Sequence, residues 1–412
     1  MKKNIKRILI VGSNGYIGSH FFNYYKTNPD IFEFGIDKEA SCEKNFFQCD
    51  LLNKKYLEEI LKNLKPDVII NSAGISNLTA CDENKDLANK INVETNKNLV
   101  DLLSLYLPKA KYIFLSSDYV FKGDKGNYRE TDVPDPLTYY GKTKYEAEKY
   151  TQSNLFNYAI CRAANVYGHG GNFFNFVLNN LRQNKEIEVY NNTFFNPTYI
   201  GNIIEMINFI IDEDLKGIFH TVGSSIESRY TFALKIADVF NKNKNLIKAV
   251  KKPENVLISN NSTLSFENTK LRIKWLKFLN VEEGLNEVSK NNKIEYKFNF
   301  IDERGSINNI FKDNIWKEIN YIYSQKNCIR GNHYHKKTLE GFFIFEGKIH
   351  IKITDTLSGE ERYFFAVKGD YFIIKPYELH IFETLSDSTW INFLSESMKN
   401  RSKDLYRMEN SK

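Results

Sequence analysis

Tyr140 and Lys144 stand four positions apart, the spacing that puts two side chains on one face of a helix. An ammonium beside a phenol favours the phenolate and lowers the tyrosine pKa from its usual value of about 10. Such a phenol can hand a proton to a carbonyl oxygen while hydride arrives from a nicotinamide. Ser117, just past the apolar run Tyr112 to Leu115, can hydrogen-bond the same oxygen. Tyr139 cannot take Tyr140's place, because the residue four beyond it is Thr143. Ser117, Tyr140 and Lys144 are therefore the catalytic candidates. A second constellation lies near the C-terminus, where four of the chain's seven histidines fall between residues 333 and 380. His333 and His335 are two apart, on one face of a strand if the segment is extended. Glu340 and His380 follow at the edges of further strand-like runs. Three imidazoles and a carboxylate suit Zn, Fe, Mn or Ni and leave a position for water or substrate. His333, His335, Glu340 and His380 are the candidate ligands, with zinc the first choice. His350 has no evident partner and is not among them.

The elements around these groups are readable. Arg7-Ile8-Leu9-Ile10-Val11 is an apolar run of the kind a buried parallel strand shows, and it enters Gly12-Ser13-Asn14-Gly15-Tyr16-Ile17-Gly18 before an amphipathic stretch, Ser19 to Lys26. Strand, glycine turn and helix open a dinucleotide-binding βαβ unit, in which the helix N-terminus offers free N–H donors to a pyrophosphate. Gly12 permits the tight turn, Gly15 the approach of the pyrophosphate, and Gly18 close packing of helix on strand. Asp37 ends the second strand, where its carboxylate can bond the adenosine ribose; Lys38 can instead receive a 2′-phosphate, so NAD and NADP both stay open. Asp50-Leu51 follows a third apolar segment, and Asn71-Ser72-Ala73-Gly74 a fourth, its small residues letting the chain pass under a cofactor. The cofactor contacts expected are Gly12, Asn14, Gly15, Tyr16, Ile17, Gly18, Asp37, Asp50, Leu51, Ala73, Gly74, Tyr140 and Lys144.

Residues 281–293 read as a last helix and a polar link, dividing a first domain of residues 1–290 from a second of residues 294–412. Beyond the link the periodicity changes. Short runs at Gly341 to Phe345, Lys348 to Thr354, Tyr363 to Val367 and Tyr371 to Ile374 alternate with turn residues, which argues for an antiparallel barrel or jelly roll.

Composition narrows the function classes. A length of 412 residues allows two domains with two cores. The formal charge of +6 is spread over many Lys and Glu residues rather than massed, so nucleic-acid binding is not expected. The apolar run Ile8 to Val11 is far too short for a signal core, and no stretch approaches the ~18 apolar residues of a membrane span. Cys42, Cys49, Cys81, Cys161 and Cys328 are scattered and form no CxxC pair, as reduced thiols in a cytoplasmic protein would.

Taken in order, these motifs resemble the extended short-chain dehydrogenase/reductase family, and within it the dTDP-4-dehydrorhamnose reductase-like branch. The resemblance is carried by the glycine loop, by Ser116-Ser117-Asp118-Tyr119-Val120-Phe121 and by Pro136-Leu137-Thr138-Tyr139-Tyr140-Gly141-Lys142-Thr143-Lys144. It continues through Arg162-Ala163-Ala164-Asn165-Val166-Tyr167-Gly168 and Asn196-Pro197-Thr198-Tyr199-Ile200. It implies an α/β Rossmann-type doubly wound parallel sheet with a substrate subdomain, NADPH or NADH as cofactor, and Asn165, Asn196 and Tyr199 beside a nucleotide-diphosphate sugar. Asn165 departs from the tryptophan-like position of that branch, so the sugar is left open. The histidine motifs resemble the cupin fold, an all-β jelly-roll barrel. Asp302-Glu303-Arg304-Gly305 and Arg330-Gly331-Asn332-His333-Tyr334 also resemble metal-free cupin epimerases, in which the matching histidine is a base, so His333 is a ligand, a base, or both. The domain order is similar to bifunctional capsular-polysaccharide enzymes, in which a cupin epimerises a 4-keto sugar nucleotide and a reductase then reduces it. Both families commonly form dimers, so the resemblances imply a homodimer; the charge, hydropathy and cysteine pattern above imply a cytoplasmic protein acting without nucleic acid or membrane. The alternatives are a monofunctional reductase whose cupin only binds sugar or dimerises, and a regulator that binds NAD without turning over.

Overall fold

The computed structural model describes residues 6–26, 28, 31–41, 45–168, 172–290, 298–302, 305–309, 316–396 and 404–407. The chain divides into two compact units, residues 1–286 and 287–412. The polar link expected after residue 290 falls largely outside the described residues, as do Cys42, Glu303 and Arg304.

The first unit is built on seven strands: β1 (Lys6–Val11), β2 (Ile31–Asp37), β3 (Phe46–Gln48), β4 (Val68–Asn71), β5 (Lys111–Ser117), β6 (Tyr158–Ala163) and β7 (Gly217–His220). All pair in parallel, in the order β7-β6-β5-β4-β1-β2-β3. A parallel strand is covered on both faces, and β1 shows why its stretch Ile8 to Val11 is uniformly apolar. Ile8 and Ile10 pack with Phe21, Phe22 and Tyr25 of the helix Tyr16–Tyr25 and with Ile203, Ile207 and Ile210 of Ile200–Asp212. Leu9 and Val11 point the other way, into Leu57, Ile60 and Leu61 of Lys54–Leu64 and Leu99, Val100 and Leu103 of Thr95–Tyr106. One strand thus feeds two cores. The reversal of strand order beside β1 opens a crevice at the strands' C-terminal ends, where the glycine loop, Asp37, Ser72 and Ser117 all emerge. After β6, three two-stranded pairings build a smaller lobe: Val166–Tyr167 with Thr198–Tyr199, Phe194–Phe195 with Glu227–Ser228, and Ile187–Tyr190 with Ile247–Val250.

The second unit is all β. Its strands are β8 (Phe298–Asp302), β9 (Gly305–Asn309), β10 (Glu318–Ser324), β11 (Ile329–His333), β12 (Glu340–Glu346), β13 (Lys348–Asp355), β14 (Glu361–Val367), β15 (Tyr371–Ile374), β16 (Glu378–Thr384) and β17 (Ser388–Leu394). β8 and β9 form a hairpin; the rest make two four-stranded antiparallel sheets, β10-β17-β12-β15 and β11-β16-β13-β14. Phe342, Ile344, Phe372, Ile374 and Trp390 of one sheet meet Ile349, Ile351, Ile353, Ala366 and Phe382 of the other in a single core. The four strand-like runs of the sequence reappear within a residue or two of their expected ends. β11 stops at His333, one residue short of an isolated bridge from Tyr334 to Tyr406, so His335 lies beyond the strand, but its ring stays 5.1 Å from that of His333. The register breaks between Gly331 and His333, with φ of 81° at Gly331 and 55° at Asn332, a bulge that re-aims His333. Among the described residues no helix is long and apolar enough to cross a membrane.

Candidate functional site

The glycine loop is held where a dinucleotide needs it. Gly12 takes φ of 79°, and a Cβ there would stand 2.8 Å from the Ala73 backbone, so the loop and the Ser72–Gly74 turn can approach only without one. A Cβ on Gly18 would collide with the Gly12 carbonyl. Gly15 caps the Tyr16–Tyr25 helix with no side-chain bond to its first N–H groups, which suits an anion site. Asp37 accepts from the Asn14 amide at 3.1 Å and the Glu39 amide at 3.3 Å, so its carboxylate rims the loop. Lys38 pairs with Glu39 at 3.8 Å. Asp50 closes its own turn by accepting from the Leu52 amide at 2.9 Å, and Leu51 is buried.

Tyr140 is the second residue of the helix Tyr139–Asn154, capped by Thr138, whose hydroxyl oxygen accepts from the Gly141 amide at 3.1 Å. A Cβ on Gly141 would strike the Tyr119 carbonyl, so glycine lets this helix close on the segment after β5. That closure brings Tyr140 and Ser117 to the same cavity. Ser117 Oγ also donates to Asp118 Oδ1 at 2.9 Å and accepts from the Tyr119 amide at 3.2 Å. Ser262 Oγ donates to Asp118 Oδ2 at 2.6 Å. Lys144 is buried, its ammonium 4.3 Å above the Phe114 ring. Burial lowers its pKa to about 8, with Glu148 pulling the other way. The expected depression of the Tyr140 pKa is not found: burial raises it, Ser117 opposes that rise, and Asp118 adds to it. Desolvation is the largest cause of both shifts. One turn on, Glu148 and Arg162 form a buried two-pronged ion pair at 3.0 and 2.7 Å, pinning the helix to β6.

Ser117, Tyr140 and Asn165 line a cavity of about 330 Å³, together with Tyr16, Ile17, Asp118, Phe173, Phe195 and Arg229. Five buried polar atoms of residues lining it have no protein partner among the described residues: Tyr16 OH, Ser116 Oγ, Asn165 Nδ2, Thr193 Oγ1 and Arg229 Nε. Orphaned buried polar atoms are costly, and five around one cavity suit a ligand rich in hydroxyl and phosphate oxygens. Asn196 and Tyr199 do not join it. Asn196 is fully buried, donating to the Gly223 carbonyl at 3.4 Å and accepting from the Leu264 amide at 2.8 Å; Tyr199 packs on Tyr167. Both hold the lobe together. Asp118, Thr193, Arg229 and Ser262 were not foreseen; only Asp118, adjacent to Ser117, carried a local signal.

In the second unit His333, His335, Glu340 and His380 line a cavity of about 750 Å³ with Arg330, Asn392 and Asp404. Donor atoms of His333, Glu340 and His380 all lie within 4.8 Å of one another. His335 stands outside this group, with Nε2 3.7 Å from Glu340 Oε2. His335 Nδ1 lies 2.5 Å from the Asp404 carbonyl oxygen, and His380 Nδ1 3.2 Å from that of Glu378. A carbonyl only accepts, so each Nδ1 carries the hydrogen. Burial lowers the pKa of both His333 and His380 to about 4, keeping them neutral at pH 7. His380 Nε2 then faces Glu340 Oε2 at 3.1 Å, acceptor against acceptor. A cation between them resolves that opposition, so the residues fit a divalent metal. His350, set aside above, pairs with Glu383 at 3.5 Å.

The profile of the RmlD substrate binding domain matches residues 6–293, and that of the Polysaccharide biosynthesis C-terminal domain matches residues 300–394. Methionine adenosyltransferase 2 subunit beta of Bos taurus is 28% identical over 254 residues, 57% of this chain and 72% of that protein. dTDP-4-dehydrorhamnose reductase of Aggregatibacter actinomycetemcomitans is 30% identical over 240 residues, 56% of this chain and 78% of that protein. Among solved structures, dTDP-4-dehydrorhamnose reductase from Bacillus anthracis str. Ames in complex with NADP is 27% identical. It covers 70% of this chain and 99% of its own, with a TM-score of 0.63.

Proposed function

This chain belongs to the RmlD substrate-binding-domain family, and from that premise we propose a bifunctional nucleotide-sugar enzyme of surface-polysaccharide assembly. Its first unit reduces the ketone of a 4-keto deoxy sugar nucleotide with NADPH or NADH, and its second, a cupin-type jelly roll, epimerises the same sugar beside that ketone. The observation that carries the reading is the convergence of Ser117, Tyr140 and five unpartnered polar atoms on one cavity below the glycine loop. Tyr140 donates the proton as hydride reaches the carbonyl carbon, Ser117 holds the oxygen, and the Lys144 ammonium supports the phenolate left behind. Gly12, Asn14, Gly15, Tyr16, Ile17 and Gly18 cradle the cofactor, with Asp37, Asp50, Leu51, Ala73 and Gly74 along its length.

In the second unit His333, Glu340 and His380 are the ligands proposed for a divalent metal, zinc first. When bound, it supplies Lewis-acid polarisation of the ketone. His335, oriented by the Asp404 carbonyl, lines the cavity and is the base proposed to take a proton from the neighbouring carbon. Reversible epimerisation is then trapped by reduction. The protein is proposed to work as a cytoplasmic homodimer.

Incubation of the chain in deuterated buffer with dTDP-4-keto-6-deoxy sugars, followed by NMR, tests the second half: no deuterium entering the ring carbons leaves a reductase with a sugar-binding or dimerising cupin. Kinship with a methionine adenosyltransferase subunit favours a second reading, a cofactor-binding subunit that does not turn over. Hydride transfer to any keto sugar excludes it.

A further inference from the structure

Ser117 Oγ carries one hydrogen and two lone pairs, and the structure surrounds it closely. The Tyr119 amide donates to it at 3.2 Å, and Asp118 Oδ1 lies at 2.9 Å. If Asp118 is a carboxylate it can only accept, so it takes the Ser117 hydrogen. Ser117 then has nothing to offer a substrate carbonyl.

We propose that Asp118 is a positioning residue of the reductase: as a neutral carboxylic acid it donates through Oδ1 to Ser117 Oγ and releases the Ser117 hydrogen for the ketone oxygen. This rests on the reductase reading above. Three features support it besides the donor count. Oδ2 keeps its own partner, since Ser262 Oγ donates to it at 2.6 Å in either protonation state. Asp118 is 4% exposed, with no ion pair to it among the described residues; burial pushes its carboxyl above the usual range, Ser262, Ser117, its own backbone amide and more distant Arg229 pulling the other way. A negative charge at Asp118 also opposes ionisation of Tyr140, the change that proton donation requires. The neutral acid removes both obstacles together. A buried carboxylic acid kept protonated to donate a hydrogen bond is known chemistry for stabilising a developing oxyanion.

The test compares the full-length protein with Asp118→Asn and Asp118→Leu, using NADPH and dTDP-4-dehydrorhamnose. The Asn amide donates to Ser117 and accepts from Ser262 as the neutral acid does; Leu fills the space and donates nothing. Asp118→Asn is expected to keep kcat within about threefold of the parent, while Asp118→Leu loses about tenfold or more in kcat with little change in KM. An Asn variant as slow as the Leu variant, or a Leu variant as fast as the parent, overturns the proposal. Infrared difference spectra of parent minus Asp118→Asn at pH 7 judge it without turnover. Loss of a protonated-carboxyl C=O stretch supports it, and loss of a carboxylate stretch overturns it. If the parent transfers no hydride, the reductase reading fails while the spectrum still decides the state of Asp118.

Discussion

At the scale of single residues the account turns on a few hydrogens. Replacing Tyr140 by Phe removes the proton donor and little else, because the ring's contacts with Tyr119 survive. The expected result is a fall in kcat of about a hundred- to ten-thousand-fold with the cofactor still bound, read by steady-state kinetics beside a titration of NADPH fluorescence. Lys144 gives the alkaline limit. Its pKa of about 8 lies below the ordinary lysine value, so the ammonium is present below that pH and lost above it. kcat/KM is therefore expected to decline as pH rises through about 8, and Lys144→Arg, which stays charged, should move that limb upward. Tyr140, Lys144 and the glycines were legible because their chemistry depends on spacings within one element. The pKa of Tyr140 was not, since burial by distant chain segments decides it. Asn196 misled for a related reason: its motif is local, but its partners Gly223 and Leu264 come from elsewhere and turn it inward.

At the scale of elements, the Tyr139–Asn154 helix must be held against β5 and β6 for Tyr140 to reach Ser117. Gly141 allows the approach, and the Glu148–Arg162 pair fixes it. Breaking a buried ion pair strands the remaining charge, so Arg162→Met is expected to destabilise the first unit by about 3–5 kcal/mol. Adding Glu148→Leu should recover much of the loss. Urea unfolding of both single variants and the double variant checks this, and single losses that sum to the loss in the double would show that the pair contributes no coupling. Strands of the second unit were legible almost to the residue, because alternation and turn residues are local signals. The bulge at Gly331 and Asn332 was not, nor the end of β11 at His333, although the His333 and His335 rings still lie 5.1 Å apart. His335 owes its orientation to Asp404, far along the chain and invisible to any reading of the histidine motif.

For the whole molecule, two compact units with separate cavities predict separable activities. His380→Ala removes one corner of the three-residue cluster. It is expected to abolish solvent exchange at the sugar carbon and zinc retention by elemental analysis. Reduction of an already epimerised ketone should stay within about twofold of the parent, as sites sharing no partners behave additively. Loss of both activities together would mean that the second unit serves the first. The architecture of the first unit was foreseeable because an uninterrupted apolar strand, a glycine turn and a helix leave few folds open.

Hydride transfer itself is the most direct test. NADPH deuterated at C4 of the nicotinamide, incubated with the full-length protein and a dTDP-4-keto-6-deoxy sugar, is expected to place one deuterium on sugar carbon 4, by NMR, with Tyr140→Phe placing almost none. Unlabelled sugar recovered from a parent protein that binds the cofactor would contradict the account.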